Sequence, residues 1–473
     1  MVGSANKGGI FQSKTRYVIL FLGSACIASI ASNYTILGFT YICMSNVTVD
    51  ENNATAMATR GQYDYTQKEK SFLHWSLAVG TLLAAWPFQW FYQKYGARDV
   101  FFIAGVISAL STSLMPLMAS IDFKYFLAMR FLQGISFGAD FAAIGLIVVH
   151  WASLKQHGFF ISLLSSFSQI SVMFTMPVSG LLCNSSWGWQ SAYYVHGALC
   201  MFLFSLWWWY YRNDPVDHPK MTEVELEKIQ RGKKEEELGQ HEAVPVGAIL
   251  RDPVVWSVWL SAFGELMMSQ FIVLYGPTFI KEVLNFSVGK SAMMVAMPRF
   301  VHLCFKIISG HLSDKIKFLS EKTKMIIFNT ISLMVSGFFF CVLGFIPKEQ
   351  AFYSIVILFI IEATTGCICG GFYKCATLVA RQHSHFVLSA IQFIKCLSLF
   401  IEPTLIFIFC RNNTLAEWRI VFLIHGGLLM GGNIIFCFFA TDKPAKFTYT
   451  QADETDELKQ EPEKQRLTDA PHE

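Results

Sequence analysis

A chain that carries about twenty consecutive apolar residues must hide them in a large core or in a bilayer, and this sequence does so twelve times over. The runs are 17–44, 71–92, 100–119, 125–150, 158–182, 190–211, 253–279, 289–313, 325–346, 352–380, 385–409 and 418–440, with short polar breaks between most of them. Each is long enough to cross the hydrocarbon as an α-helix, an element that satisfies its own backbone there. Charged residues make up 15% of the chain, against about 25% in a soluble domain. The expected fold is an all-α membrane protein of twelve transmembrane helices.

The polar insertions set the organisation. Segment 212–252 divides the runs six and six and contains Lys233, Lys234, Glu235, Glu236 and Glu237. It reads as a solvated linker. The expected layout is a cytosolic N-terminus 1–16, a first six-helix bundle 17–211 holding an extracytosolic loop 45–70, the cytosolic linker 212–252, a second bundle 253–440 and a cytosolic tail 441–473. The first run follows Lys7, Lys14 and Arg16 and is too long for a signal peptide core, so it reads as a signal-anchor.

Composition excludes several classes. A net charge of +3 is too small to imply a nucleic-acid partner. The 12 cysteines fall almost entirely inside apolar runs (Cys26, Cys200, Cys304, Cys341 and Cys437 among them), and read as small hydrophobes rather than a disulfide framework. Cys367 and Cys369 have no matching second pair, so no metal site is expected. No phosphate loop, zinc-protease helix or nucleophile elbow is present, which argues against an enzyme or an ATP-driven pump.

Apart from Asn33, which lies at membrane depth, glycosylation sequons fall only in odd-numbered loops, at Asn46, Asn53, Asn184, Asn285 and Asn412, and only Asn46 and Asn53 lie in a loop long enough to clear the bilayer. Even-numbered loops carry Lys94, Arg98, Lys155, Lys315 and Lys317. Both patterns put the termini in the cytosol, in a plasma membrane or a lysosomal or vesicular membrane.

A charge at mid-bilayer costs about 2.5–3.5 kcal/mol on insertion scales and persists beside a cavity or a partner. Such charges are Arg130, Asp140, Glu265, Arg299, Lys306, Glu362, Lys374, Lys395 and Glu402; runs three, six, nine and twelve have none in their interiors. Arg299, His302 and Lys306 share one helical face, as do Lys395 and Glu402 just before Pro403. Bases in runs eight and eleven make a positive wall that attracts anions; the competing reading is internal pairing, such as Lys395 with Glu402 or Lys374 with Glu362. His196 and His425 read as packing residues of lipid-side helices, while His74 is a candidate for the cavity. Pro298 and Pro403 are expected helix break points.

Run four begins Arg130-Phe-Leu-Gln-Gly134-Ile-Ser-Phe-Gly138, a stripe of small residues one turn apart that lets another helix approach. After run eight comes Ser309-Gly310-His311-Leu312-Ser313-Asp314-Lys315, and its first-half counterpart ends Lys94-Tyr95-Gly96-Ala97-Arg98. These segments resemble the fourth-helix and loop motifs of the major facilitator superfamily. With Gly276-Pro277, Gly188-Trp189 and Asn413-Thr-Leu-Ala-Glu417-Trp418, residues 16–441 look like its anion:cation symporter family, which includes sodium–phosphate cotransporters, sialin and vesicular glutamate transporters. The resemblance implies two six-helix bundles, alternating access, a small organic or inorganic anion as substrate, and a coupling ion, sodium or proton. No other cofactor is implied, and the functional unit is expected to be a monomer. Arg130 matches the family's fourth-helix arginine. The chain departs from it at Phe137, where relatives carry Glu, at Gly145, where they carry His, and at Asn33-Tyr34, where they carry a first-helix Arg. Asp140 offers an alternative acid, and Arg299 an alternative base. The rival reading is a non-transporting sensor on the same scaffold.

Overall fold

The computed structural model describes residues 14–44, 63, 65–153, 156–230 and 245–448, with the side chains at 141, 157, 158, 314, 382 and 385 left aside. Asn46, Asn53, the Asp314 side chain, the charged run 233–237 and the tail beyond 448 lie outside that set. Twelve long helices follow in order: α1 Thr15–Met44, α2 Gln67–Tyr95, α3 Ala97–Ile121, α4 Phe123–Trp151, α5 Phe159–Cys183, α6 Gly188–Tyr210, α7 Pro253–Val283, α8 Val288–Lys315, α9 Glu321–Leu343, α10 Lys348–Ala380, α11 Ser384–Phe409 and α12 Leu415–Phe439. Ten are both long and apolar enough to span a bilayer. The other two, α2 and α6, have 29 and 23 residues. Their apolarity is diluted by Trp75, Trp86, Trp90, Trp189 and Trp207–Trp209, amphipathic residues suited to a membrane interface.

Local sequence sets several helix starts. Thr66 with Glu69 and Thr414 with Glu417 form capping boxes at α2 and α12. Asp252 accepts from the Val254 and Val255 amides, and Pro253 occupies the first helical position of α7. The start of α1 is capped from far away: the Thr15 and Arg16 amides donate to Glu225 on the linker helix Glu223–Gln230. A carboxylate there also complements the positive end of the helix.

The helices close-pack through glycine. In α4, Gly134 lies against the Leu77 carbonyl of α2, while Gly80 of α2 faces the Phe131 carbonyl. Gly138 meets Thr81 one turn on. Gly134→Val is therefore expected to lower stability by about 2–3 kcal/mol or more through overpacking, read as a fall in melting temperature. Gly145→Ala is the control, because a methyl group there meets nothing within 4 Å.

Three expectations need correction. Helices α8 and α11 run unbroken through Pro298 and Pro403. The interruptions fall at Ala139 in α4, at Ser165–Ser166 in α5 and at Gly366–Gly371 in α10. A proline removes one hydrogen bond and its neighbours absorb the loss, whereas the α10 break is lined with glycines. There the freed groups find side chains: Ser309 Oγ donates to the Gly366 carbonyl, Ser332 Oγ to the Thr365 carbonyl, and the Phe372 amide to Asn329 Oδ1. Second, the cysteines are not all spectators. Cys43 at the end of α1 and Cys183 at the end of α5 form a disulfide, with Cα atoms 6.1 Å apart. Third, His425 of α12 is more than a packing residue: it is wholly buried and pairs with Glu402 of α11.

Helices α1–α6 and α7–α12 form two halves that meet along a long interface. Among the described residues, its hydrogen bonds concentrate on the face where α1 ends and α2 begins, the loop face. There Lys281 Nζ donates to the Ile42 carbonyl at 2.6 Å and Gln67 Nε2 to Asn413 Oδ1 at 3.2 Å. Trp75 Nε1 donates to the Phe400 carbonyl at 3.2 Å and to Thr404 Oγ1 at 3.1 Å, and Ser71 Oγ to the Pro403 carbonyl at 3.3 Å. Gly38 of α1 packs on the backbone of Leu274 in α7. The molecule is thus sealed on the loop face.

Candidate functional site

The buried charges gather where the helices are interrupted, at mid-depth between the halves. Arg130 of α4 is wholly buried. Its Nη1 donates to the Tyr34 carbonyl at 3.0 Å and to Gln133 Oε1 at 2.7 Å, and its Nε to the Leu73 carbonyl at 3.4 Å. Gln133 Nε2 in turn donates to the Asn33 carbonyl and to Thr112 Oγ1. The first-helix pair Asn33-Tyr34 therefore supplies backbone acceptors to Arg130. Arg130 Nη2 finds no partner, and no carboxylate bonds this guanidinium among the described residues. Close by, both His74 nitrogens and the Tyr41 hydroxyl are also buried without partners. The His74 ring lies 5.6 Å from that of Tyr275, across the interface. A buried cation with an idle donor, beside other idle polar groups, is an arrangement suited to an anion.

In the second half, Arg299 of α8 is neutralised. Its Nε lies 3.4 Å from Glu362 Oε1 of α10, its Nη2 donates to the Ser269 carbonyl at 2.8 Å, and its Nη1 to Ser269 Oγ at 3.2 Å. His302 Nδ1 meets the other Glu362 oxygen at 3.1 Å. Arg299 and Glu362 thus form a triad with His302, and Arg299 is not a bare attractor of anions.

Two bases reach across to the first half. Lys306 Nζ donates to Ser165 Oγ at the α5 interruption, at 3.4 Å. Lys395 Nζ of α11 lies 4.4 Å from the Phe167 ring centre and 5.3 Å from that of Phe137. Asp140, at the α4 interruption, is wholly buried, and neither of its oxygens has a hydrogen-bond partner; it interacts electrostatically with Lys395. Glu265 of α7, 8% exposed, feels Arg299, Lys306, Lys395 and Glu362 together. Phe137, the residue that stands where the resemblance expects Glu, packs against Tyr34 with ring centres 4.5 Å apart and tilted by 49°, and forms part of the wall around Lys395.

Two candidates fall elsewhere. Lys374 sits toward the linker face, bonded to Ser313 Oγ at 3.1 Å and paired with Glu321 at 2.9 Å, so it joins neither Glu362 nor the central group. Glu402 pairs with His425 of α12 instead of Lys395. Residues seven apart share a helical face but are separated by about 10 Å along the axis, too far for direct contact. The motif residues also have local tasks. Gly96 has φ +77° and packs on Asn213, whose Oδ1 accepts from the Arg98 amide. Arg98 Nε donates to the Trp208 carbonyl at 3.0 Å. A methyl group added at Gly310 would lie 3.9 Å from Cys369 Cβ, and Lys315 is exposed. Sequence reading missed Gln133, Ser269 and the acid-pairing roles of His302 and His425. A polar residue inside an apolar run was the only signal for each.

A family model described as Major Facilitator Superfamily matches residues 16–403. Sodium-dependent phosphate transport protein 1 of Homo sapiens is 24% identical over 441 residues, covering 90% of this chain and 93% of that protein. Sialin of Homo sapiens is 23% identical over 387 residues, covering 81% and 77%. Among solved structures, an inward open conformation of the xylose transporter XylE from E. coli superposes with a TM-score of 0.65 at 15% identity, covering 94% of this chain and 99% of that one. With the twelve helices in two halves and polar groups held between them, the match over most of its length places this chain in the major facilitator superfamily.

Proposed function

We propose that the protein is a secondary transporter that carries a small organic or inorganic anion by alternating access. The observation that carries this reading is Arg130: a wholly buried guanidinium with an idle nitrogen, bonded to carbonyls and an amide rather than to an acid. Leaving a charge so placed is costly unless a ligand of opposite sign visits it. Lys395 and Lys306 give a second positive element on the facing half. The phosphate named for one relative agrees in sign.

Asp140 and Glu265 supply the acids for a coupling ion, sodium or proton, at the same depth; Glu362 balances Arg299. The loop face carries the Cys43–Cys183 disulfide together with Asn184, Asn285 and Asn412. Disulfides persist in oxidising compartments, so the loop face looks out of the cytosol and the linker and both termini look into it, in a plasma membrane or a lysosomal or vesicular membrane. Both halves of the path come from one chain, so a monomer suffices.

The test is uptake of labelled phosphate and small carboxylates into proteoliposomes under imposed sodium, proton and voltage gradients. Saturable anion uptake that follows one of these gradients supports the reading. Uptake of neutral sugars or cations in its place overturns it, and anion binding without flux transfers the molecule to a sensing role.

A further inference from the structure

We propose that Gln133 of α4 and Thr112 of α3 are positioning residues for the anion: together they hold Arg130 by a neutral partner, so that its charge stays uncancelled and its Nη2 stays free. Arg130 and Thr112 are wholly buried, and Gln133 is 1% exposed. A guanidinium carries five N–H donors. Both hydrogens on Nη1 are taken, by the Tyr34 carbonyl and by Gln133 Oε1, and the hydrogen on Nε goes to the Leu73 carbonyl. The remaining donors are both on Nη2. The group is therefore fixed at two nitrogens and open at the third.

The direction of the Gln133 amide is set from α1 and α3. A carbonyl only accepts, so the atom 3.0 Å from the Asn33 carbonyl is Nε2, and Oε1 must face Arg130. The second hydrogen on Nε2 goes to Thr112 Oγ1 at 2.7 Å. Every hydrogen of the amide is thus placed. Asn33 is itself tied to α3, through Nδ2 to Ser108 Oγ at 2.8 Å. Helix α3 carries no charge beyond its first turn, yet it acts on the anion site through Thr112.

The partner must be neutral as well as directed. Arg299 shows the alternative, because Glu362 pairs with it at 3.4 Å and cancels its charge. A glutamate at 133 would have the shape of the glutamine and would do the same to Arg130. As a carboxylate it only accepts, so it would also set an oxygen against the Asn33 carbonyl. Glutamine supplies the direction and leaves the attraction for a visiting anion intact. Without the Thr112 hydroxyl, one amide hydrogen is buried with no partner, which is costly. The amide then turns from its place, and Oε1 leaves Arg130.

The inference rests on the reading of Arg130 as the partner of a transported anion, so binding and flux are measured separately. The full chain in proteoliposomes is given labelled inorganic phosphate or labelled lactate, and the same preparation is melted with and without each anion. Gln133→Glu is expected to raise KM about thirtyfold or more and to erase the anion-dependent rise in melting temperature. Gln133→Leu loses every bond but leaves Arg130 charged, and is expected to raise KM by only about tenfold. A merely structural role gives the reverse order, because glutamate keeps the bond to Arg130 and leucine does not. Thr112→Val is expected to raise KM about fivefold with the maximal rate within about twofold, and Thr112→Ser to restore it.

Gln133→Leu with a KM as high as that of Gln133→Glu overturns the proposal, as does Thr112→Val with the KM of the unaltered protein. If the Gln133 variants do not fold, the Thr112 variants decide, and equal KM values for valine and serine overturn it. A melting shift that Gln133→Glu abolishes, in a protein that takes up neither anion, leaves the positioning role standing and removes the transport reading. Anion uptake with the same KM in every variant does the reverse, and neither uptake nor shift overturns both.

Discussion

Arg130→Lys is expected to reduce anion uptake by about a hundredfold or more, with the folded protein no less stable than the original. The guanidinium holds three acceptors in fixed directions, the Tyr34 and Leu73 carbonyls and Gln133 Oε1, and keeps Nη2 idle. An ammonium group is a point charge without that fork. It would lose the pre-set geometry and at least one charge-assisted bond to the substrate, each worth about 1.5–3 kcal/mol, and about 2.7 kcal/mol corresponds to a hundredfold. Stability should move little, because no buried carboxylate bonds Arg130 among the described residues and none would be orphaned. Uptake in proteoliposomes and the melting temperature of the same preparation separate the two effects. A variant that unfolds while its remaining folded fraction transports normally would make Arg130 a packing residue.

Glu362→Ala should behave in the opposite way. It leaves Arg299, wholly buried, facing His302 without a counter-charge. Breaking a buried pair from one side costs about 3–5 kcal/mol. A large fall in melting temperature is expected, whatever happens to transport. The double variant Arg299→Met with Glu362→Leu should recover most of it, since removing both charges eliminates the uncompensated one. A double variant as unstable as Glu362→Ala would show that the Ser269 bonds, not the pair, hold α7, α8 and α10 together.

The contrast between these two arginines marks how far a sequence of this kind can be read. The twelve helices were legible because crossing a bilayer demands a fixed number of apolar residues, and that demand leaves its mark in the primary structure. The interior charges were legible for the same reason. What each charge meets was not. Arg130 and Arg299 look alike inside their runs, yet one is bonded to carbonyls and an amide and the other to Glu362. The difference depends on how far each helix is rotated and where its neighbour crosses, which long-range packing fixes. Shared faces suggested Lys395 with Glu402, but a rise of about 1.5 Å per residue separates them, and α12 supplied His425 in their place. The Cys43–Cys183 bridge was hidden likewise: both cysteines sit at the ends of apolar runs, and only the packing of α1 against α5 brings them together.

The helix interruptions were misplaced for a related reason. Proline is conspicuous in a sequence, but α8 and α11 carry Pro298 and Pro403 without breaking. The breaks at Ala139, at Ser165–Ser166 and at Gly366–Gly371 lie where small residues let the backbone loosen. Those three breaks surround Asp140, Ser165 and the Lys306 contact, so the softest backbone and the central polar groups coincide.

The central claim is that the loop face must open for the anion to pass. Gln67 and Asn413, bonded at 3.2 Å across the two halves, offer the place to test it. With Gln67→Cys and Asn413→Cys joined by a short bifunctional reagent, anion uptake into proteoliposomes should stop and should return when the link is cleaved, while the unsubstituted protein given the same treatment continues to transport. Undiminished uptake through the linked protein would contradict the account.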